Sequence, residues 1–382
     1  MRTWLPRRTA LLALLFAAPL ACSAGPDGAT GQPQDNGGDD AGSSAPTGPT
    51  GGGTSDAGSS HPSPPTGDAG SAPAPDAGPV GTTDAGHADA GAPGTDSGGP
   101  TPPASDIKVV AYLPNYSGSY ADWANNIDFT KMTHMNLAFA SANGSNDWDM
   151  GASDSDVGAL VSAAHAAGVK VIASLGGGGG DQSVIAQFKD AGNVPALVDN
   201  LDSFLKRLNL DGADIDIEDP SHLGDDYGTF VDAVVAKLHP EGKLVTAAVA
   251  QYLQDSMSDH TLHEFDFVNV MVYSNYNDGV DAMNYYSGTK SVPKTQIVLG
   301  VGFFGTDSGG NEYAYSDIMK ADSNAWSKDQ AQVNGNTVNY TGVATTAKIA
   351  QYAKGYGGVM FWELSEDTTD SHSLYKAIQS AM

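Results

Sequence analysis

Cysteine is almost absent from this chain. Its 382 residues include one, Cys22, so no internal disulfide can form and the core must hold by packing alone. Basic residues are scarce: 18 Lys and Arg stand against 45 Asp and Glu, a formal net charge of −27. That balance disfavours binding to nucleic acid or anionic lipid through basic patches and suits a neutral or cationic substrate. Long apolar runs are missing too. The best candidate, Ala10 to Ala21, is too short for a permanent membrane span. No His or Cys grouping has ligand spacing, which leaves a metal-dependent phosphohydrolase without support.

What is present divides into three parts. Residues 1–22 carry Arg2, Arg7 and Arg8 ahead of the short apolar run, the pattern of an export signal. The run ends at Cys22 in "PLAC" (19–22), which resembles a bacterial lipoprotein box with Pro19 where Leu is usual. Cys22 is therefore a lipidation candidate, and the expected location is outside the cytoplasm, held to membrane only by that lipid. An ordinary signal followed by a chance thiol is the bland alternative. Arg7-Arg8 also permits a twin-arginine reading.

Residues 23–105 are mostly Gly, Pro, Ser, Thr, Ala and Asp, with almost no large apolar residue and with "DAG" recurring at irregular spacing from Asp40 to Asp89. Such a segment cannot bury enough apolar area to offset its ordering entropy, so a disordered, low-complexity linker is predicted. Calcium binding by its Asp residues would need the regular spacing it lacks. The first 22 residues carry three positive charges and the linker ten negative ones, which leaves −20 for residues 106–382.

From Asp106 onward, short apolar strands alternate with amphipathic helices. Strands are read at 107–113, 132–140, 169–175, 212–218, 243–250, 266–273, 296–304 and 357–364. Helical patterns lie at 154–168, 194–208, 227–239 and 344–355. This alternation predicts an α/β fold with a parallel sheet covered by helices, and eight units fit a closed (β/α)8 TIM barrel. A doubly wound open sheet is the runner-up. "GGGGG" (176–180) is weak as a phosphate loop, because no helix follows in dinucleotide-binding register.

Within "DGADIDIEDP" (211–220), Asp214, Asp216 and Glu218 alternate with Ala213, Ile215 and Ile217. Period two sends the acids to one side and the apolar residues to the other, with successive acids about 6.6 Å apart. Carboxylates so close cannot all ionise cheaply, so some proton is shared and some pKa raised. Three readings stay open on spacing alone: acid catalysis, a structural hydrogen-bonded strand, or oxygen ligands for Mg²⁺ or Ca²⁺. Strand-end residues Ser174, Tyr273 and Trp362 would share the same barrel face, where active sites lie.

These segments resemble glycoside hydrolase family 18, the chitinases and endo-β-N-acetylglucosaminidases. "DGADIDIE" (211–218) fits the family's Asp-Gly-x-Asp-x-Asp-x-Glu signature, "SLGG" (174–177) its Ser-x-Gly-Gly, "MVYS" (271–274) its Met-x-Tyr-Asp except at Ser274, and "GGVMFWEL" (357–364) its closing strand. The resemblance implies Glu218 as general acid and later base. It implies Asp216 as the group that orients and stabilises a substrate acetamido group, with Asp214 sharing its proton. Tyr112 and Ser174 would bond Asp214, and Tyr273 would hold the acetamido oxygen. Trp362 would floor the sugar site, Met271 would line it, and Asp211 would be structural. It also implies a β-1,4-linked polymer of N-acetylglucosamine as substrate, chitin first with N-glycan cores and peptidoglycan strands as alternatives, attack by the substrate's own acetamido oxygen, and no metal or other cofactor.

Only about forty residues separate strand seven from the helix near Ala344. No small α+β insertion is therefore expected there, and the groove should be shallow, open and suited to internal cleavage. The chain is expected to act as a monomer. A non-catalytic carbohydrate-binding relative is the rival of another class, although such relatives usually lack the proton donor.

Overall fold

The computed structural model describes residues 107–250 and 255–382. The expected signal, Cys22 and linker lie outside the described residues. Eight parallel strands close on themselves: β1 (Lys108–Pro114), β2 (His134–Ala142), β3 (Lys170–Gly176), β4 (Gly212–Asp216), β5 (Leu244–Ala250), β6 (Phe267–Met271), β7 (Ile297–Gly302) and β8 (Gly358–Trp362). Closure is made by β1, which pairs with β2 on one side, Tyr112 opposite Asn136, and with β8 on the other, Ala111 opposite Phe361. This is the (β/α)8 barrel that the alternating pattern predicts; an open sheet would leave two free edges.

Period-two alternation sorts the side chains. On β1, Val109, Ala111 and Leu113 pack outward with the helices, while Val110 and Tyr112 belong to a small inner core with Ala138, Phe267, Val298 and Met360. On β4, Ala213 and Ile215 join the outer core. Toward the strand starts, Phe267 is met by the His134 ring edge at 5.1 Å and by the Lys108 ammonium at 5.3 Å. Burial beside two lysines lowers the His134 pKa to about 4.

The helices form for local reasons. Val194–Arg207 has Pro195 in its first turn, Lys206 and Arg207 in its last, and buries Leu197, Val198, Leu201, Phe204 and Leu205 at helical spacing. Ser153 caps Asp154–Ala166 by accepting the Asp156 N–H at 3.2 Å, a contribution of about 1 kcal/mol. Asp156 in turn accepts from Ser119, Tyr120 and Ala121, which fixes the chain just past β1.

Two expectations need correction. The strands read to 218, 273 and 304 stop at Asp216, Met271 and Gly302. Past the barrel rim the ladder loses its neighbours, and Glu218 instead donates its N–H to the buried Asp181 carboxylate at 3.2 Å. Second, the stretch after β7 does carry a small α+β unit. Strands 304–307, 312–314, 330–333 and 336–339 form an antiparallel sheet, with helix Tyr315–Ala321 between its halves. Its polar three- and four-residue strands gave little periodicity. The hairpin signal was there: Asn334 and Gly335 both have positive φ, as a tight two-residue turn requires. The groove therefore has a wall on this side. Among the described residues no helix is long and apolar enough to cross a membrane.

Candidate active site

Asp214 is the anchor of the site. It is completely buried inside the barrel. Oδ2 accepts from the Tyr112 hydroxyl at 2.7 Å and Ser174 at 2.9 Å; Oδ1 accepts from Thr246 at 2.6 Å and Asn269 at 3.3 Å. Ser174 and Thr246 are its direct register neighbours on β3 and β5, while Tyr112 and Asn269 reach in from β1 and β6. Burial raises its pKa, and the four donors pull it back by favouring the charged form. With four donors on its two oxygens, Asp214 offers a metal ion little coordinating capacity. Among the described residues no group of three or more His, Cys, Asp or Glu is arranged to hold one.

Asp216, two residues on, is nearly as buried but differently served. Its Oδ1 has no hydrogen-bond partner. Burial first, then the charges of Glu218, Asp214 and Asp181, hold its pKa well above the usual carboxylate range. A buried, underserved carboxyl group of this kind is costly to keep and marks a place where a ligand group can supply the missing partner. Glu218 follows, half-exposed, beyond the strand end. The three acids thus run from a fixed, enclosed Asp214 through Asp216 to an accessible Glu218.

Aromatic residues surround them. Tyr273 is half-buried, and its hydroxyl donates toward Met360 Sδ at 4.0 Å. Burial and the carboxylates Asp216, Glu218, Asp214 and Glu312 push its pKa well up, so it stays protonated and able to donate. Met271 ends β6, half-buried against the inner core. Trp362 ends β8, also half-buried, stacked on Phe139 at 5.4 Å and 21° and tilted against Tyr112 at 5.6 Å. It presents a flat apolar platform, a surface on which the face of a sugar ring can lie.

The glycines after Ser174 have a steric explanation. Gly176 has φ +102°, and a Cβ there would meet the Asp216 carbonyl oxygen at 2.5 Å. Gly177 has φ +78°, and a Cβ would overlap the Phe139 ring. Its N–H donates to the Asp216 carbonyl at 2.8 Å. The turn is therefore tied to the backbone of the acid strand while leaving Phe139 free to support Trp362.

Sequence reasoning missed Thr246, Asn269, Asp181 and Phe139. For Thr246 and Asn269 the signal was a polar residue at an inward position of an apolar strand. Phe139 gave no signal, since an aromatic residue near a strand end is ordinary. Asp211 lies at the start of β4 and accepts from Val171 N–H at 2.7 Å, with His165 Nε2 at 2.8 Å. Ser274 bonds Asp278 at 2.5 Å, so a carboxylate stands beside this position, supplied four residues later.

The family model described as "Glycosyl hydrolases family 18" matches residues 108–367. Similar solved structures include a family 18 chitinase from the chitin utilization locus of Flavobacterium johnsoniae. It is 25% identical, with a TM-score of 0.65 over 73% of this chain and 94% of that one. A chitinase from Bacteroides thetaiotaomicron is 24% identical, with a TM-score of 0.63 over 72% of this chain and 96% of that one. A chitinase-like agglutinin from Robinia pseudoacacia is 18% identical, with a TM-score of 0.60 over 71% and 98%. No curated protein matches the chain.

Proposed function

The chain belongs to the glycosyl hydrolases of family 18, and from that premise we propose that it cuts β-1,4-linked N-acetylglucosamine polymers, chitin foremost, by substrate-assisted hydrolysis with retention. The observation that carries this reading is Asp216: a buried carboxyl group with raised pKa and an unpartnered oxygen, set between the anchored Asp214 and the accessible Glu218.

The sugar to be cleaved lies over Trp362, and Met271 lines its pocket. Glu218 gives its proton to the glycosidic oxygen as the C1–O bond breaks. The acetamido carbonyl oxygen of the same sugar closes on C1, forming an oxazolinium ion. Asp216 accepts the acetamido N–H, which supplies the missing partner of its carboxyl group, and stabilises the positive charge as it develops. Asp214 shares the proton that Asp216 holds in the resting site. The Tyr273 hydroxyl donates to the acetamido oxygen and aims it. Water then adds to C1 from the vacated side, Glu218 takes its proton, and the product keeps the β configuration. Both working acids leave one strand end, so an opposing protein nucleophile of the ordinary retaining kind is not needed.

Export and attachment through a lipid on Cys22 complete the proposal, with a monomeric barrel acting on an extracytoplasmic glycan. The similarity to an agglutinin keeps a binding-only role as the rival. Incubation with chitin oligomers, a high-mannose glycopeptide and peptidoglycan, with products identified by mass, decides between them. Chitin oligomers should be cut to products with β-anomeric, N-acetylated new reducing ends. Binding without cleavage would establish the rival; glucosamine at a substantial share of new reducing ends would overturn substrate assistance.

A further inference from the structure

The small antiparallel sheet after β7 places one carboxylate against the cleft that the mechanism above does not use. In its first hairpin Glu312 pairs with Thr306, Tyr313 with Gly305, and Ala314 with Phe304. Cross-strand partners share a face and successive residues alternate. Glu312, Thr306, Ala314 and Phe304 therefore lie on one face. Tyr313, Gly305 and Asp307 lie on the other, where the Tyr313 hydroxyl donates to Asp307 at 2.9 Å. The first face is the one turned to the site, because the Phe304 ring packs edge-on against Tyr273 with centroids 5.4 Å apart.

Beyond the backbone ladder, the Glu312 carboxylate has no hydrogen-bond or ion-pair partner among the described residues. It is solvent-exposed, yet lost hydration still raises its carboxyl group above the usual range. Its charge reaches the Tyr273 hydroxyl together with those of Asp216, Glu218 and Asp214. The two lysines of the small α+β unit are engaged elsewhere, Lys320 with Asp317 at 2.8 Å and Lys328 with Asp322 at 2.7 Å. A negative group facing a negative cleft gains nothing from a wholly neutral polymer, whereas a substrate cation would lower the cost of both.

We propose that Glu312 is a specificity-determining residue that takes the ammonium group of a glucosamine unit adjoining the cleaved N-acetylglucosamine, so that partly deacetylated chitin is the favoured substrate class. This rests on the reading of the site given above. The cleaved sugar keeps its acetyl group, because that group is the nucleophile; its neighbour carries the positive charge.

The test compares kcat/KM on fully acetylated oligomers with kcat/KM on oligomers of equal length carrying glucosamine, at mildly acidic pH where the amines are charged. In Glu312→Gln the ratio of the second to the first should fall about 3- to 10-fold, mainly through KM, the effect of losing one partly screened charge-assisted contact. Glu312→Lys should lower it further. Added salt should shrink the preference of the wild-type protein and leave the Gln variant unmoved, a readout that a merely structural role would not give. An unchanged ratio, or an equal loss on both substrates, overturns the role of Glu312 while leaving the hydrolase reading intact. A wild-type protein that cuts neither substrate overturns both.

Discussion

The hydroxyl of Tyr112 and the carboxylate of Asp214, 102 residues apart in the chain, meet at 2.7 Å inside the barrel. The same phenol oxygen accepts from Asn269 at 3.2 Å, so β1, β4 and β6 are joined through one buried network. Each donor that satisfies Asp214 comes from a different strand, and barrel closure is what brings them together.

Tyr112→Phe removes one of the four donors and leaves the ring tilted against Trp362. Unfolding free energy should fall by about 1 kcal/mol, the net worth of one such bond or slightly more for a charged acceptor. Asp214, less well served, should titrate higher, and the acidic limb of the rate profile should move to higher pH. Denaturant melts and a pH–rate profile measure both; a loss of stability with an unmoved acidic limb would show that Tyr112 only packs.

Asp216→Asn should separate stability from turnover. The folded-state pKa of Asp216 is raised by burial and neighbouring acids, so the folded protein holds this proton where the unfolded chain releases it. Its ionisation costs stability, and that cost grows as pH rises from the ordinary carboxylate range toward the raised value. The amide cannot ionise. The variant should therefore melt higher than wild type near neutral pH, with the gap closing on acidification, while hydrolysis drops about 10²- to 10³-fold or more. Equal melting temperatures at neutral pH would mean that Asp216 is solvated better than its surroundings imply.

Glu218→Gln keeps the shape and loses the acid proton. Turnover should fall about 10²- to 10⁴-fold with thermal unfolding essentially unchanged. Retention of more than about a tenth of the activity would assign proton donation elsewhere.

Gly177→Ala tests the support under the sugar platform. The new methyl would overlap the Phe139 ring at a backbone angle that favours glycine, and relief requires Phe139, and with it Trp362, to shift. A stability loss of about 1–3 kcal/mol is expected from overpacking, together with a raised KM for chitin oligomers. Crystallography of the variant would show whether the Phe139–Trp362 stack has moved; an undisturbed stack with a raised KM would separate the two effects.

Much of the barrel was legible in the chain. Eight apolar strands between amphipathic helices, and acids alternating with Ala213, Ile215 and Ile217, follow from local periodicity, and period two alone decides which side chains share a face of β4. The alternation could not say where a strand stops, because pairing at the rim depends on neighbours from distant segments; β4, β6 and β7 end earlier than their residues suggest. The small sheet after β7 escaped because its strands are short and polar and are stabilised by each other and by packing against the barrel.

The sequence by itself determined the barrel's strand and helix order and the shared facing of Asp214 and Asp216, since within a strand backbone geometry couples residue spacing directly to side-chain direction. Tertiary structure alone decided what each acid experiences. Asp214 and Asp216 are both aspartates two residues apart, yet one receives four donors and the other keeps an unpartnered oxygen. That difference comes from Tyr112, Ser174, Thr246 and Asn269, which lie far apart in the chain and come together only when the ring of strands closes.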